Sequence, residues 1–314
     1  MARHLRVAAA QLGPIQLSDD RASVVRRLSD LLREAHAAGA QYVVFPELCL
    51  TTFFPRYWYE DIGEIDRWFE PEMPNEATRP LFELAADLNV GFYLGYAELT
   101  EEGGSLHRYN TSVLVGPHGR ILGKYRKVHL PGHAEHRPEM PFQHLEKRYF
   151  EVGNHGFPVW RAFGGIIGMM ICNDRRWPES YRVMGLQGVE LIALGFNTPA
   201  VNLYHPEASH LRMFHNRLSV QAGAYQNACW VVSTAKAGIE DGHALIGGSC
   251  IVAPTGEIAA QSQSEDDEVL VYTCDLDFCG HYKHSTFAFD RHRRVEHYGL
   301  ITAQTGVVPP PESD

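Results

Sequence analysis

The chain has no linker rich in proline, glycine and serine, no block of like charge and no internal repeat within its 314 residues. A single folded domain over residues 1–303 is therefore expected, with a short tail at 304–314. Long apolar runs are missing too, and none approaches the roughly 20 residues that a membrane-spanning helix requires. The run from Leu5 to Leu12 follows two basic residues, but Gln11 interrupts it and Gly13-Pro14 ends it, so it reads as a first strand rather than a leader. Positive charge is scarce: the formal net charge is −10, which argues against a nucleic-acid partner. The six cysteines (49, 172, 229, 250, 274 and 279) are scattered, mostly in apolar runs. That is the pattern of buried free thiols in a reducing compartment, and the expectation is a cytoplasmic protein with no membrane partner.

Metal and nucleotide signatures are lacking as well. His129, His133 and His136 lie close together, but Pro131-Gly132 breaks any helix between them and the spacing fits no familiar zinc motif. Gly164-Gly165-Ile166-Ile167-Gly168 precedes a strand instead of opening a helix, and Gly247-Gly248-Ser249-Cys250 is not a nucleophile elbow. No metal and no cofactor are expected.

The chain does carry an alternation of strands and helices. Arg6–Gln11, Tyr42–Phe45, Val90–Ala97, Thr111–Val115 and Ile121–Tyr125 read as strands in the first half. A helix introduced by Asp19-Asp20 and closed at Gly39 carries Val24, Val25, Leu28, Leu31, Leu32 and Ala35 on one face. The second half repeats the grammar, with strands at Ile166–Ile171, Val189–Leu194, Trp230–Ser233, Ser249–Val252 and Val269–Thr273. A short helix starts at Pro178, and a longer one is marked by Leu211, Phe214, Leu218 and Ala222. Early helix–strand alternation followed by hairpins predicts an α/β fold with mixed sheets covered by helices. The last stretch, Gly306 to Asp314, is proline-rich and acidic, and reads as a loose tail or an arm onto a neighbouring subunit.

Three strand ends carry chemistry. The run Met169-Met170-Ile171 stops at Cys172, followed by Asn173-Asp174-Arg175-Arg176-Trp177-Pro178-Glu179. A lone cysteine in an apolar run is ordinarily a core thiol. Here the strand ends and charged residues follow at once, which places the thiol at the carboxyl edge of a sheet, where α/β folds bind ligands. An unperturbed thiol is only a few per cent thiolate at neutral pH, so it needs a base or a nearby cation. Glu47, after Val43-Val44-Phe45-Pro46, is the candidate base; by itself it would more often cap a helix or pair with a lysine. Lys127 ends the run Lys124-Tyr125-Arg126-Lys127, where alternation puts Tyr125 and Lys127 on one face and Lys124 and Arg126 on the other. A lysine turned toward the thiol would stabilise a thiolate and an oxyanion, with the Asn173 backbone N–H as a second donor. Arg175 and Arg176 sit badly at a helix start, where cations oppose the dipole. They suit an anion instead, as guanidinium forks for a substrate carboxylate, with both expected to bind substrate, Arg176 as the more direct ligand and Arg175 close behind.

Taken together these segments resemble the nitrilase superfamily of carbon–nitrogen hydrolases. Within it they are most similar to the D-carbamoylase branch, which cleaves N-carbamoyl-D-amino acids. The resemblance runs from Val7-Ala8-Ala9-Ala10-Gln11 to His297-Tyr298-Gly299-Leu300-Ile301. It is carried by Phe45-Pro46-Glu47-Leu48, Gly123 to His133, Pro141 to Phe150 and the block from Cys172 to Glu179. It implies a four-layer αββα sandwich, a Glu47–Lys127–Cys172 triad acting through a covalent thiol intermediate, and assembly into homodimers or homotetramers. It also implies a supporting shell of His129, His144 and Glu146 around the lysine and the substrate, and pocket-wall roles for Asn197 and Thr198. Phe196 stands where the family commonly has tyrosine. Small-molecule N-carbamoyl amino acids are the expected substrates, giving D-amino acid, carbon dioxide and ammonia. The preference for the D form rests on the resemblance alone. A related amidohydrolase (β-ureidopropionase-like, an aliphatic amidase or a nitrilase) is the alternative, and a catalytically silent binding protein on the same fold is a third reading.

Overall fold

A computed structural model describes residues 2–201 and 207–312; the last two positions of the expected tail lie outside them. The first sheet is built from β1 (His4–Gln11), β2 (Tyr42–Val44), β3 (Gly91–Glu102), β4 (Ser105–Val115), β5 (Ile121–Arg126) and, at the end of the chain, β14 (Glu268–Asp275). Its order is β14-β1-β2-β3-β4-β5. The second contains β6 (Val159–Ala162), β7 (Gly165–Ile171), β8 (Leu191–Phe196), β9 (Trp230–Ala235), β12 (Cys250–Val252) and β13 (Ile258–Gln261), in the order β13-β12-β9-β8-β7-β6. A small hairpin, β10 (Ile239–Glu240) and β11 (His243–Ala244), stands apart. In each sheet three central strands are parallel, β1-β2-β3 and β7-β8-β9, and antiparallel strands flank them.

Four helices cover the outer faces: α1 (Arg21–Ala37) and α2 (Arg79–Leu88) on the first sheet, α4 (Pro178–Leu186) and α5 (Ser209–Asn227) on the second; a single turn, α3 (Glu146–Tyr149), lies near the strand ends. The layer order is αββα. Val7, Ala9, Val44 and Tyr93 of the first sheet meet Ile167, Met169, Ala193 and Val232 of the second in an inter-sheet core. Val24, Leu28 and Leu32 of α1 close a second core on the first sheet, and Val220 and Ala224 of α5 close a third on the other side. Among the described residues no helix is long and apolar enough to cross a membrane, and all six cysteines are unpaired and buried.

One expectation needs correction. The strands expected to end at Ala97 and to begin at Thr111 form instead a longer hairpin, turning at Gly103-Gly104 with both residues at positive φ. Charged residues in that hairpin are paired within the sheet: buried Glu98 accepts from Arg126 at 2.8 Å and also pairs with Lys124. The longer helix marked by Leu211, Phe214, Leu218 and Ala222 does form, as α5, with Phe214 and Leu218 exposed and Asn216, Val220 and Ala224 on the buried side.

Candidate active site

The main chain is forced into an unusual place at Glu47. β2 stops at Val44, and Pro46-Glu47 then passes between the two sheets. A Cβ on Gly95 of β3 would lie 2.6 Å from the Pro46 carbonyl oxygen, and one on Gly195 of β8 would lie 2.5 Å from the Glu47 nitrogen. Only glycine admits this approach. The consequence is a fully buried carboxylate at the carboxyl ends of the parallel strands. Its Oε1 accepts from Lys127 Nζ at 2.7 Å and from Asn110 Nδ2 at 2.8 Å, and its Oε2 accepts from the Asn197 backbone N–H at 2.9 Å.

Lys127 follows β5 directly and is buried with Glu47. Its backbone N–H donates to the Asn110 carbonyl at 2.8 Å, and its ammonium also donates to Glu146 Oε2 at 2.5 Å. Burial by itself would lower the lysine pKa, but Glu146 and then Glu47 overcome this and raise it, so the side chain is an ammonium across the physiological range. Burial pushes the Glu146 carboxyl up, and Lys127 and His144 more than offset it, leaving Glu146 below its ordinary value. His144 Nε2 lies 3.2 Å from Glu146 Oε1.

Cys172 follows β7 directly and adopts φ +48°, in the left-handed region that a side chain with a Cβ rarely enters. Asp174 makes this turn possible. Its fully buried carboxylate accepts from the Ile171 N–H at 3.1 Å, the Tyr125 hydroxyl at 2.7 Å and the His129 N–H at 2.9 Å. The thiol donates to the Asn197 carbonyl at 3.5 Å. Burial and then the Glu47 carboxylate push its pKa up, while Lys127 and Arg175 pull in the other direction, and the net effect is a rise. Glu47, Lys127 and Cys172 thus share one buried cluster.

A cavity of about 250 Å³ opens over the thiol, lined by Cys172, Asn173, Arg175, Arg176, His144, Asn197, Thr198 and Arg212, with Pro131, Phe142, Pro199 and Val201 as its less polar wall. The two adjacent arginines part company here. Arg175 is 1% exposed: it donates to Asn216 Oδ1 at 2.7 Å, to the Cys172 carbonyl at 2.5 Å and to Thr198 Oγ1 at 2.9 Å, and lies 4.5 Å over the Phe196 ring. Its hydrogen bonds are committed to the protein. Arg176 makes no side-chain hydrogen bond among the described residues. Burial, then repulsion from Arg175, lowers its pKa to about 10, so it remains a cation at neutral pH. Phe196 serves as the platform for Arg175.

His129 is the one member of the expected supporting shell that the structure places elsewhere. Its Nδ1 lies 2.9 Å from Asp174 Oδ1 and its ring stacks on Trp177, so it braces the turn after Cys172 instead of the lysine or the cavity. Asn110, Asp174 and Arg212 escaped the sequence reading. Asp174 carried a signal in the adjoining motif, a carboxylate two residues beyond a strand-ending cysteine. Asn110 and Arg212 carried none, because their roles depend on which strands and loops meet.

A family model described as carbon-nitrogen hydrolase matches residues 6–284. The chain is 33% identical to a nitrilase of Pyrococcus abyssi over 272 residues, which covers 87% of this chain and 90% of the relative. It is 30% identical to the N-carbamoylputrescine amidase of Arabidopsis thaliana over 297 residues, 92% of this chain and 93% of that one. A crystal structure of a carbon-nitrogen hydrolase from Helicobacter pylori superimposes with a TM-score of 0.82 at 23% identity, covering 96% of this chain and 99% of the other.

Proposed function

The chain belongs to the carbon–nitrogen hydrolase family, the nitrilase superfamily, and from that membership we propose that it hydrolyses N-carbamoyl-D-amino acids to D-amino acid, carbon dioxide and ammonia. At the coarser level it is a hydrolase of carbon–nitrogen bonds other than peptide bonds.

In this reading the Cys172 sulfur attacks the ureido carbonyl carbon as Glu47 takes the thiol proton. Lys127 and the Asn173 backbone N–H hold the oxyanion that develops. Glu47 returns the proton to the departing nitrogen as that carbon–nitrogen bond breaks, leaving an S-thiocarbamate on Cys172 that still carries the second nitrogen. It then takes a proton from water, which attacks the thiocarbamate; the Cys172 sulfur leaves and is reprotonated, and the carbamic acid released loses carbon dioxide to free the second nitrogen. Glu146 and His144 keep Lys127 charged and aligned, while Asn197 and Thr198 shape the cavity wall.

The observation that carries the substrate class is Arg176, a cation lining the same cavity as Cys172 without a protein partner among the described residues. A substrate carboxylate supplies that partner through a charge-assisted bond of about 1.5–3 kcal/mol. Arg212, on the same wall, is paired with Glu207 at 3.6 Å and so leaves Arg176 as the cation open to substrate. An N-carbamoylated amine with an ammonium at its far end would be repelled there. The D preference follows the likeness of the Cys172 to Glu179 block to D-carbamoylases.

Ammonia release from N-carbamoyl-D-phenylalanine and its L enantiomer, with Cys172→Ala as the control, tests the reading. Thiol-dependent turnover of the D form alone is expected. Turnover of the L form only would overturn the handedness. Turnover of N-carbamoylputrescine or simple amides, with none of carboxylate-bearing ureides, would overturn the substrate class in favour of another amidohydrolase.

A further inference from the structure

Charge is buried in this chain at a second place, apart from the Glu47–Lys127–Glu146 set. Glu240 in β10 and Lys236, just beyond β9, are fully buried, and Arg56 is nearly so. None of the three lines the cavity over the thiol. Glu240 Oε1 accepts from the Phe53 backbone N–H at 2.7 Å and from Arg56 Nη2 at 3.0 Å. Its Oε2 accepts from Lys236 Nζ at 2.6 Å and from the Ile15 backbone N–H at 3.1 Å. Arg56 also donates to the Glu240 carbonyl, and Lys236 donates to the Thr51 carbonyl at 2.9 Å. Beside them Asp241 accepts from the Thr52 hydroxyl at 2.5 Å and from the Leu17 N–H at 2.7 Å. Arg56 and Lys236 are thus set against Glu240 and Asp241. A buried ion cluster is weak evidence for stability, because apolar packing of the same volume often does as well or better. What four hydrogen bonds on one carboxylate do supply is fixed geometry.

The geometry so fixed is that of the active-site wall. Asp241-Gly242, both at positive φ, turns β10 into β11 in a two-residue loop, and Glu240 ties this hairpin to residues 51–56. From the hairpin side, the Ala244 carbonyl accepts from the Ala200 N–H and the Ile246 N–H donates to the Thr198 carbonyl, each at 2.9 Å, and Leu245 bridges to Pro199. The His243 ring lies 4.7 Å from that of Phe142. From the other side, the Pro55 and Arg56 carbonyls accept from the Leu145 and Gln143 N–H groups at 2.8 and 3.0 Å, and the Phe53 ring meets His144 edge-on at 5.6 Å. Phe142, His144, Thr198 and Pro199 all line the cavity over Cys172. The bonds that hold Glu47 to Lys127, Asn110 and Asn197 do not run through Glu240.

We propose that Glu240 is a positioning residue for substrate binding. By holding the β10–β11 hairpin against residues 51–56, its carboxylate sets Phe142 and His144 in register with Thr198 and Pro199, and so governs KM without touching substrate. The inference rests on the hydrolase reading of this cavity but not on the ureide. Turnover of simple amides alone would overturn the substrate class proposed above and leave this test intact, because the kinetics are taken on whichever amide or ureide is turned over fastest.

Two variants of the full chain carry the test. Glu240→Asp keeps the charge but shortens the reach by one methylene, so the carboxylate no longer spans Phe53 and Ile15 together. His243→Ala removes the ring behind Phe142 and, being only half-buried, leaves the ion cluster intact. Glu240→Asp should raise KM about tenfold or more while kcat stays within about threefold of native. Alkylation of Cys172 by iodoacetamide, which reports the triad and not the wall, should keep its native rate. His243→Ala should raise KM about threefold or more with no change in the melting temperature, a split that general loss of stability does not produce. KM unchanged in His243→Ala would overturn the proposal, and that variant decides alone if Glu240→Asp does not fold. So would a fall in kcat and in alkylation rate at constant KM in Glu240→Asp, which would assign the cluster to the triad instead of the wall.

Discussion

Glu47 and Asn197 are joined at two points across the interface between the sheets. The Asn197 backbone N–H donates to Glu47 Oε2, and the Asn197 side chain donates to the Glu47 carbonyl, each at 2.9 Å. One bond aims the carboxylate and the other fixes the main chain that carries it. Asn197→Ala keeps the first and removes the second, leaving a buried carbonyl without its donor at a cost of about 1–3 kcal/mol. We expect a loss of stability in that range by chemical denaturation and a fall in kcat of about tenfold or more, because the base is no longer held square to the thiol. Unchanged kcat would show that the backbone bond suffices.

The Cys172 thiol is held protonated by burial and by Glu47. Its alkylation by iodoacetamide should therefore be slow at neutral pH, rising only above the ordinary thiol range near 8.5. In Glu47→Gln the carboxylate's contribution is gone while Lys127 remains. The midpoint of the alkylation profile should then move to lower pH even as turnover collapses. A midpoint that stays put, or moves up, would mean that Glu47 does not set the thiol's protonation.

Lys127 serves two buried carboxylates, so Lys127→Met strands both. Removing one partner of a buried pair typically costs about 3–5 kcal/mol, and a thermal melt at pH 7 should show a loss of that order along with activity. The acid limb follows from the depressed Glu146 carboxyl. A carboxyl whose folded pKa lies below its unfolded value contributes stability in full above the unfolded value, near 4.5, and loses it as pH falls through the folded one. The native enzyme should thus begin to lose this contribution only below pH 4.5. In Lys127→Met the remaining burial pushes Glu146 up, and acid should no longer destabilise through this group. Parallel acid limbs in the two proteins would contradict the assignment.

How much of this was legible in the sequence depends on which contacts are local. Strand-like runs leading to Glu47, Lys127 and Cys172 are local patterns, and each of the three residues does lie just beyond the end of a strand, after β2, β5 and β7. The alternation that put Tyr125 with Lys127, and Lys124 with Arg126, also matches: the first pair is buried, and the second pair meets Glu98. What could not be read was long-range. That Gly95 and Gly195 admit Glu47 between two sheets, or that Asn110 supports the carboxylate, depends on strand neighbours far apart in the chain. The positive φ of Cys172 is imposed by Asp174 acting with Tyr125 and His129. The exposed Phe214 and Leu218 show the converse, a helical apolar spacing that does not mark the core face.

Gly195 makes the long-range point testable. A methyl group there meets the Glu47 nitrogen and the Pro46 carbonyl carbon, at 2.5 and 2.6 Å, and both belong to main chain that cannot swing aside. Gly195→Ala should displace Glu47 from Lys127 and depress kcat by about a hundredfold or more, as small misplacements of catalytic groups do. Circular dichroism should show whether the sheets survive. Full activity in Gly195→Ala would mean that the crossing segment has more room than these distances allow.

The paired arginines separate structure from recognition. They are neighbours in a tight turn, so their side chains leave in different directions, and adjacency alone cannot say which one reaches the substrate. Arg175 spends its donors on Cys172, Thr198 and Asn216, whereas Arg176 lines the cavity with no hydrogen-bond partner among the described residues. Arg176→Gln should therefore raise KM for carboxylate-bearing ureides by about tenfold to a hundredfold, the loss of one charge-assisted bond. Stability and thiol alkylation should stay near native values. Arg175→Gln should act in the opposite manner. It abandons the Cys172 carbonyl and the buried Asn216, so kcat and the melting temperature should fall together, and the loss should extend to substrates that carry no carboxylate. Steady-state kinetics on a carboxylate ureide and on its methyl ester would read the difference. The ester should erase the gap between native enzyme and Arg176→Gln while leaving Arg175→Gln impaired. Equal effects of the two substitutions on KM, with stability untouched, would return both arginines to the role of direct ligands.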